Sequence, residues 1–156
     1  MKGTAISINS RSYQKVNPEE VLISQEKFLK EAWAEFIEKY TWEWWVSLTF
    51  RDKVSTKTAN RKWNKWLKAL EKELEDRVGY FRVTELQKPR NCLHFHALML
   101  NLKGARRLTW MDRWDLIAGY ARIFPYEKSK GASHYLCKYV TKQIAEHKFG
   151  GCILKT

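Results

Sequence analysis

The sequence predicts an α+β fold with a central antiparallel sheet of four to five strands flanked by helices. Two observations support this prediction. The 156 residues suit one domain, and 44% apolar with 14% aromatic residues are enough to build a core. Segments with helical spacing of apolar residues are interleaved with short runs of β-branched and aromatic residues, which is typical of mixed α and β structure.

The N-terminal half contains two predicted helices and one predicted strand. Residues 1–20 are polar and aperiodic, which predicts an irregular arm. Apolar residues recur at helical spacing over 24–40, with Ser24 as the predicted N-cap. The run WWVSLTF at 44–50 predicts a buried, central strand, and residues 58–77 predict a second amphipathic helix.

The C-terminal half predicts three strands and two helices. The apolar-rich segments 80–86 and 93–100 are separated by a short linker with a proline, so we expect them to pair as an antiparallel hairpin. A short helix is predicted over 109–117. Residues 119–126 predict an edge strand because they contain a proline, and a final helix is predicted from 133 to about 146.

The composition favours a polyanionic partner. There are 29 Lys and Arg against 17 Asp and Glu, a net charge of +12, which indicates nucleic acid first and an anionic membrane surface second. No apolar stretch is long enough for a membrane span or a signal peptide, so we expect a soluble, intracellular protein. The three cysteines are far apart, which argues against a disulfide framework.

Two histidines on the predicted strand 93–100 form a candidate metal site. Because side chains alternate along a strand, His94 and His96 project to the same side of the sheet. Glu85 lies on the preceding strand, where cross-strand pairing would bring its carboxylate to that face. The alternatives are a solvated polar face and a zinc site that adds Cys92, although Cys92 and His94 have a poor chelate spacing.

The predicted final helix carries two phenols and two ammonium groups on one stripe. Tyr135, Lys138, Tyr139 and Lys142 fall at i, i+3, i+4 and i+7. A phenol with its usual pKa of about 10 is a weak nucleophile, but nearby cations favour the phenolate. The stripe therefore suits phosphotyrosine chemistry. The alternative is that the tyrosines pack inward while the lysines lie in solvent.

Three segments together resemble the HUH endonucleases, in particular the two-tyrosine type of their rolling-circle replication initiator (Rep) branch. They are WVSLTF at 45–50, HFH at 94–96 and YLCKYVTK at 135–142, in the order of the family motifs. The resemblance implies a Rep-like nuclease domain with a ferredoxin-like palm. It also implies a metal-dependent, sequence-specific nickase and strand transferase for single-stranded DNA, acting in plasmid or phage replication through a covalent 5′-phosphotyrosine.

The resemblance assigns metal ligands and nucleophiles. His94 and His96 would bind the metal with Glu85 as third ligand, and the cofactor would be Mn²⁺ or Mg²⁺. Tyr139 would be the first nucleophile and Tyr135 the second. Lys142 and Lys138 would position the phosphate or a metal-bound water.

The partners implied by the resemblance are a single-stranded origin or hairpin and the host replication machinery. The expected location is the cytoplasm of a bacterial or archaeal host, with the gene on a plasmid or virus. No phosphate-binding loop of a helicase occurs, so we expect a nuclease domain from a longer protein or a small stand-alone initiator. The alternatives are a non-catalytic nucleic-acid-binding module and a two-tyrosine transposase domain.

Aromatic residues lie among basic residues in two of the predicted helices. Trp63 and Trp66 are expected to pack in the core, with the neighbouring lysines facing DNA phosphates or water. Trp33 and Phe36 of the first helix are likewise expected to be core residues rather than DNA contacts.

Overall fold

The computed structural model describes residues 17–131 and 144–152 of the chain. In chain order, its elements are α1 (Pro18–Glu38), β1 (Trp44–Thr49), α2 (Thr56–Leu74), β2 (Gly79–Gln87), β3 (Cys92–Leu100), α3 (Arg107–Ile117), β4 (Ala121–Pro125), a 3-10 turn (Lys128–Lys130) and β5 (Ile144–Gly150). The predicted α+β class is therefore confirmed. None of the described helices is both long and apolar enough to span a membrane.

The five strands form one sheet in the order β4-β1-β3-β2-β5, and each neighbouring pair is antiparallel. The predicted hairpin of β2 and β3 is confirmed. β4 lies at an edge, as its proline indicated, because proline has no N–H to donate to a second neighbour. β1 is an interior strand, but β3 occupies the centre.

One face of the sheet carries the main core, which α2 and α3 cover. Side chains of alternate residues on β1, β3 and β4 meet the buried tryptophans of the two helices. Trp63 and Trp66 are only 1% and 0% exposed, so the prediction that they are core residues is confirmed. Trp66 also donates its indole N–H to the carbonyl of Trp110 at 3.0 Å, which ties α2 to α3.

The opposite face carries a smaller core beneath α1. Trp33 stacks on Phe81 of β2 with ring centroids 5.5 Å apart, and Phe36 packs against the same cluster. Their predicted role as core residues is confirmed. Ile37 and Leu98 are fully buried here. This cluster covers the end of the face with Phe81 and Leu98, and the other end is where the histidines lie.

The helices begin earlier than predicted. α1 starts at Pro18 with Asn17 as N-cap, whose side chain accepts a hydrogen bond from the N–H of Glu19 at 3.1 Å. Ser24 therefore lies inside the helix, and residues 18–20 belong to it rather than to an arm. An Asn cap followed by proline and two acidic residues is a stronger start signal than Ser24.

The C-terminal boundary of the predicted final helix is wrong. Residues 132–143 lie outside the described part of the chain, but Ile144–Gly150 form β5 instead of the last helical turn. β5 pairs with β2, with a register irregularity between Thr84 and Glu85. Pairing with a distant strand has overridden the local helix preference of this segment.

Candidate functional site

His94 and His96 share the sheet face that α2 and α3 leave open. They alternate along β3 with Leu93, Phe95 and Ala97, which are buried in the main core. The two imidazole rings are neighbours, with centroids 4.5 Å apart. The alternation of β3 thus fixes the histidine face, because the apolar partners cannot leave the core without large cost.

Glu85 joins the histidines from β2. It lies directly opposite His94 in the register of the hairpin, and its Oε2 atom is 3.1 Å from Nε2 of His96. The His96 side chain is 7% exposed and that of Glu85 is 27% exposed, so the pair borders solvent on the carboxylate side. The predicted proximity of these three residues is confirmed, while their role as metal ligands stays a prediction.

Two hydroxyls from β1 complete the cluster. Ser47 Oγ lies 2.8 Å from Nε2 of His94, and Thr49 Oγ1 lies 3.1 Å from its Nδ1. Neither Ser47 nor Thr49 was predicted from the sequence as a site residue. Their i, i+2 spacing in an otherwise apolar run was the available signal, since it places both hydroxyls on the polar face of β1.

Burial controls the protonation of His94. Loss of solvent lowers the pKa of His94 to about 4, and the neighbouring His96 contributes to the same shift, while Glu85 acts in the opposite direction. His94 is therefore neutral at physiological pH. A neutral imidazole offers a lone pair to a cation or to a proton donor.

The donor types fit a divalent cation, whereas the side-chain directions fit it only in part. Neutral imidazole and carboxylate are accepted by Mn²⁺ and related ions. However, His94 turns toward the hydroxyls of β1 and His96 turns toward Glu85 on β2. Within residues 17–131 and 144–152, no three His, Cys, Asp or Glu side chains are grouped so that they could hold a metal ion. This also applies to Cys92, whose thiol donates to the Arg90 carbonyl at 3.6 Å.

The predicted nucleophiles and their lysines are not placed by the structure. Tyr135, Lys138, Tyr139 and Lys142 all fall in 132–143, outside the described residues. The strand that follows this segment, β5, pairs with β2 beside Glu85. The role of the four side chains stays a prediction.

A basic surface lies on the other side of the molecule. α2 presents a groove lined by the side chains of Lys57, Asn60, Arg61, Asn64, Lys65 and Lys68. Because α2 covers the main core, this groove faces away from the histidines. Its charge adds to a long-range field that attracts polyanions, and nothing ties it directly to the histidine cluster.

Comparison with known proteins gives one family. The family model described as replication-associated protein ORF2 matches residues 43–144, which is more than half of the chain and includes all five strands except most of β5. Searches of curated proteins and of solved structures find no match. The matched segment contains Ser47, Glu85, His94 and His96. The chain thus belongs to this family of replication-associated proteins, which links it to the initiation of replication.

Proposed function

We propose that this chain is a metal-dependent, sequence-specific single-stranded DNA endonuclease and strand transferase that initiates rolling-circle replication of a plasmid or phage. The observation that carries the proposal is the cluster of His94, His96 and Glu85 on an open sheet face, inside the segment matched by a replication-associated family. The net charge of +12 supports a nucleic-acid partner.

His94, His96 and Glu85 would hold Mn²⁺ or Mg²⁺ in this proposal. The bound cation would polarise the scissile phosphate and stabilise the charge that develops on it. Imidazole ligands favour Mn²⁺, and cellular abundance favours Mg²⁺. The depressed pKa of His94 supports the assignment, because His94 is already deprotonated at neutral pH and loses no proton when it becomes a ligand.

Tyr139 is the proposed nucleophile, with Tyr135 as the second. The phenol oxygen forms a bond to phosphorus, the bond from phosphorus to the 3′ oxygen breaks, and the proton lost by the phenol is balanced by the one gained at the 3′ hydroxyl. Lys138 and Lys142 position the phosphate. The covalent 5′-phosphotyrosine conserves the energy of the phosphodiester, so attack by a 3′ hydroxyl can rejoin the strand. All four residues lie within the matched family segment, which supports this assignment.

The proposed substrate is a single-stranded origin or hairpin. The host replication machinery would be a second partner, in the cytoplasm of a bacterial or archaeal cell that carries the replicon. A two-tyrosine transposase would use the same chemistry on transposon ends, and a binding module would use none. The choice among these functions depends on which DNA forms a covalent adduct.

The experiment is a search for that adduct. The protein is mixed with single-stranded oligonucleotides that contain candidate origins or transposon ends, with Mn²⁺ or with EDTA, and a denaturation-resistant product is sought by gel and mass spectrometry. Tyr135→Phe and Tyr139→Phe are tested beside Tyr40→Phe. Tyr40 is a matched control because its ring packs on Phe36 and Trp42, away from the histidines.

We expect an Mn²⁺-dependent adduct that Tyr40→Phe retains and Tyr139→Phe reduces most. An adduct lost only in the double Tyr135 and Tyr139 variant would show that either phenol can attack. DNA binding that is insensitive to EDTA, with no adduct on any cognate origin, would replace the nickase by the binding module.

A further inference from the structure

An exposed aromatic and cationic surface runs along the edge strand β4. Tyr120, immediately before β4, is 57% exposed and Phe124 is 45% exposed. Arg122 lies between them and is also exposed. Its Nε donates to the hydroxyl of Tyr120 at 3.2 Å, and its guanidinium lies 5.5 Å from the centroid of that ring. We call these three residues the edge patch.

The strand register aligns the edge patch with the histidine cluster. Arg122 pairs with Ser47 of β1, and Ser47 pairs with His96 of β3. Tyr120 accepts a backbone hydrogen bond from Thr49 at 2.8 Å, and Thr49 pairs with His94. Each row therefore crosses three adjacent strands on one face, which places the edge patch about 10 Å from the histidines.

The chemistry of the edge patch is unusual for a strand that only closes a sheet. The alternate residues, Ala121 and Ile123, are buried in the main core, so core packing does not explain the outward aromatic rings. Exposed aromatic residues on an edge strand favour unwanted association, and proteins normally place small or charged residues there. Phe124 is supported from below by Trp45, with ring centroids 5.7 Å apart and planes at 24°.

We propose that Tyr120, Arg122 and Phe124 bind unpaired nucleotide bases by stacking, next to the phosphate handled by the histidine cluster. Aromatic rings stack on the π-face of any base, and an arginine adds both a planar cation and a phosphate contact. A net charge of +12 favours a polyanionic strand over a peptide added to the open edge of β4. The placement beside the histidines rests on the proposed function, but base stacking itself does not require cleavage.

The test separates base stacking from phosphate attraction. Binding of a fluorescein-labelled oligo-dT strand is compared with binding of an abasic strand of equal length, by anisotropy in EDTA. We expect the wild-type chain to prefer oligo-dT, and Tyr120→Ala or Phe124→Ala to weaken oligo-dT binding roughly 5- to 100-fold while leaving abasic binding nearly unchanged.

Three further variants sharpen the result. Tyr120→Phe retains a stacking ring and should keep the preference for oligo-dT. Arg122→Ala should weaken binding of both strands. Leu116→Ala is the matched control, since Leu116 is 83% exposed on α3, which packs on the opposite face of the sheet, and it should change neither affinity. Thermal unfolding of each variant shows whether it is folded.

Equal binding of both strands by the wild-type chain, or an unchanged preference in folded Tyr120→Ala and Phe124→Ala, would overturn the stacking proposal, and capture of a peptide by the edge patch would replace it. The failure of the proposed function looks different: the preference for oligo-dT is then present, but no adduct forms with an origin and Mn²⁺.

Discussion

Ser47 Oγ lies 2.8 Å from Nε2 of His94, although 47 positions separate the two residues in the chain. Thr49 contacts the other ring nitrogen. A neutral imidazole has one N–H donor and one acceptor, so one hydroxyl accepts and the other donates. β1 thereby holds the orientation of an imidazole on β3, while β2 holds His96 through Glu85. Three strands thus share control of the two rings.

The low pKa of His94 predicts a loss of stability in acid. In the folded chain His94 titrates at about 4, against 6.5 for the ordinary side chain. The unfolded chain therefore binds more protons between these values, and stability falls as the pH drops from 6.5 to 4. The loss should reach about 3 kcal/mol below pH 4. Urea denaturation in EDTA across this range measures it.

The matched variant for this measurement is His94→Gln, which cannot titrate. Its stability should fall less between pH 6.5 and 4 than that of the wild-type chain. Equal pH dependence in the two proteins would contradict the shift, as would an NMR titration of His94 with a midpoint near 6.5.

Glu85→Gln should weaken Mn²⁺ binding. The substitution keeps the shape of the side chain and removes the charge that would face the cation, so we expect at least a roughly tenfold loss of affinity. Isothermal titration calorimetry provides the measurement. Glu73→Gln is the control, since its half-exposed carboxylate lies on α2 and pairs only at 3.6 Å with Arg113. Unchanged affinity in Glu85→Gln would remove Glu85 from the ligand set.

Asn60→Leu should destabilise the chain by removing a partner from a buried charge. Arg82 is 1% exposed, and its guanidinium donates to Asn60 Oδ1 at 2.6 Å while packing over Phe95. Loss of this acceptor should cost about 2 kcal/mol in the free energy of unfolding. Asn64→Leu, one turn further on the exposed face of α2, should change it by less than about 0.5 kcal/mol. Equal effects would show that the bond to Arg82 contributes little.

Gly119→Ala should destabilise the connection between α3 and β4. A Cβ atom at this position would lie 2.5 Å from the carbonyl oxygen of Thr49 and 2.6 Å from the amide nitrogen of Arg51. Because both are backbone atoms, we expect a loss of about 3 kcal/mol, measured by thermal or urea denaturation. Gly104→Ala separates crowding from conformation: a Cβ there meets nothing within 4 Å, and only its φ of +73° opposes alanine. Its cost should be about 1 kcal/mol, and a larger loss at Gly104 would contradict the steric argument.

The parts of the site that depend on local pattern were predictable. Strand alternation placed His94 and His96 on one face, and the short hairpin linker aligned Glu85 with them. Ser47 and Thr49 could not be assigned to the site, because their contact with His94 depends on the pairing of β1 with a distant strand. Sequence spacing shows which side of a strand a residue occupies but does not identify the neighbouring strand.

The same limit explains the error in β5 and the omission of the edge patch. Residues 144–146 favour a helix locally, but the edge of β2 provides hydrogen-bond partners that the local sequence does not reveal. For β4, Pro125 indicated an edge strand. The alignment of Arg122 with Ser47 and His96 became visible only once the strand order was known.

The alternation of β3 also limits how this protein can evolve. Phe95 lies between the two histidines and is 1% exposed in the main core. Inserting or deleting one residue within β3 would turn one part of the strand over, so that histidines would enter the core and Phe95 would face solvent. Viable descendants should therefore vary this strand by substitution alone, and changes in chain length should accumulate in the hairpin turn between Gln87 and Cys92.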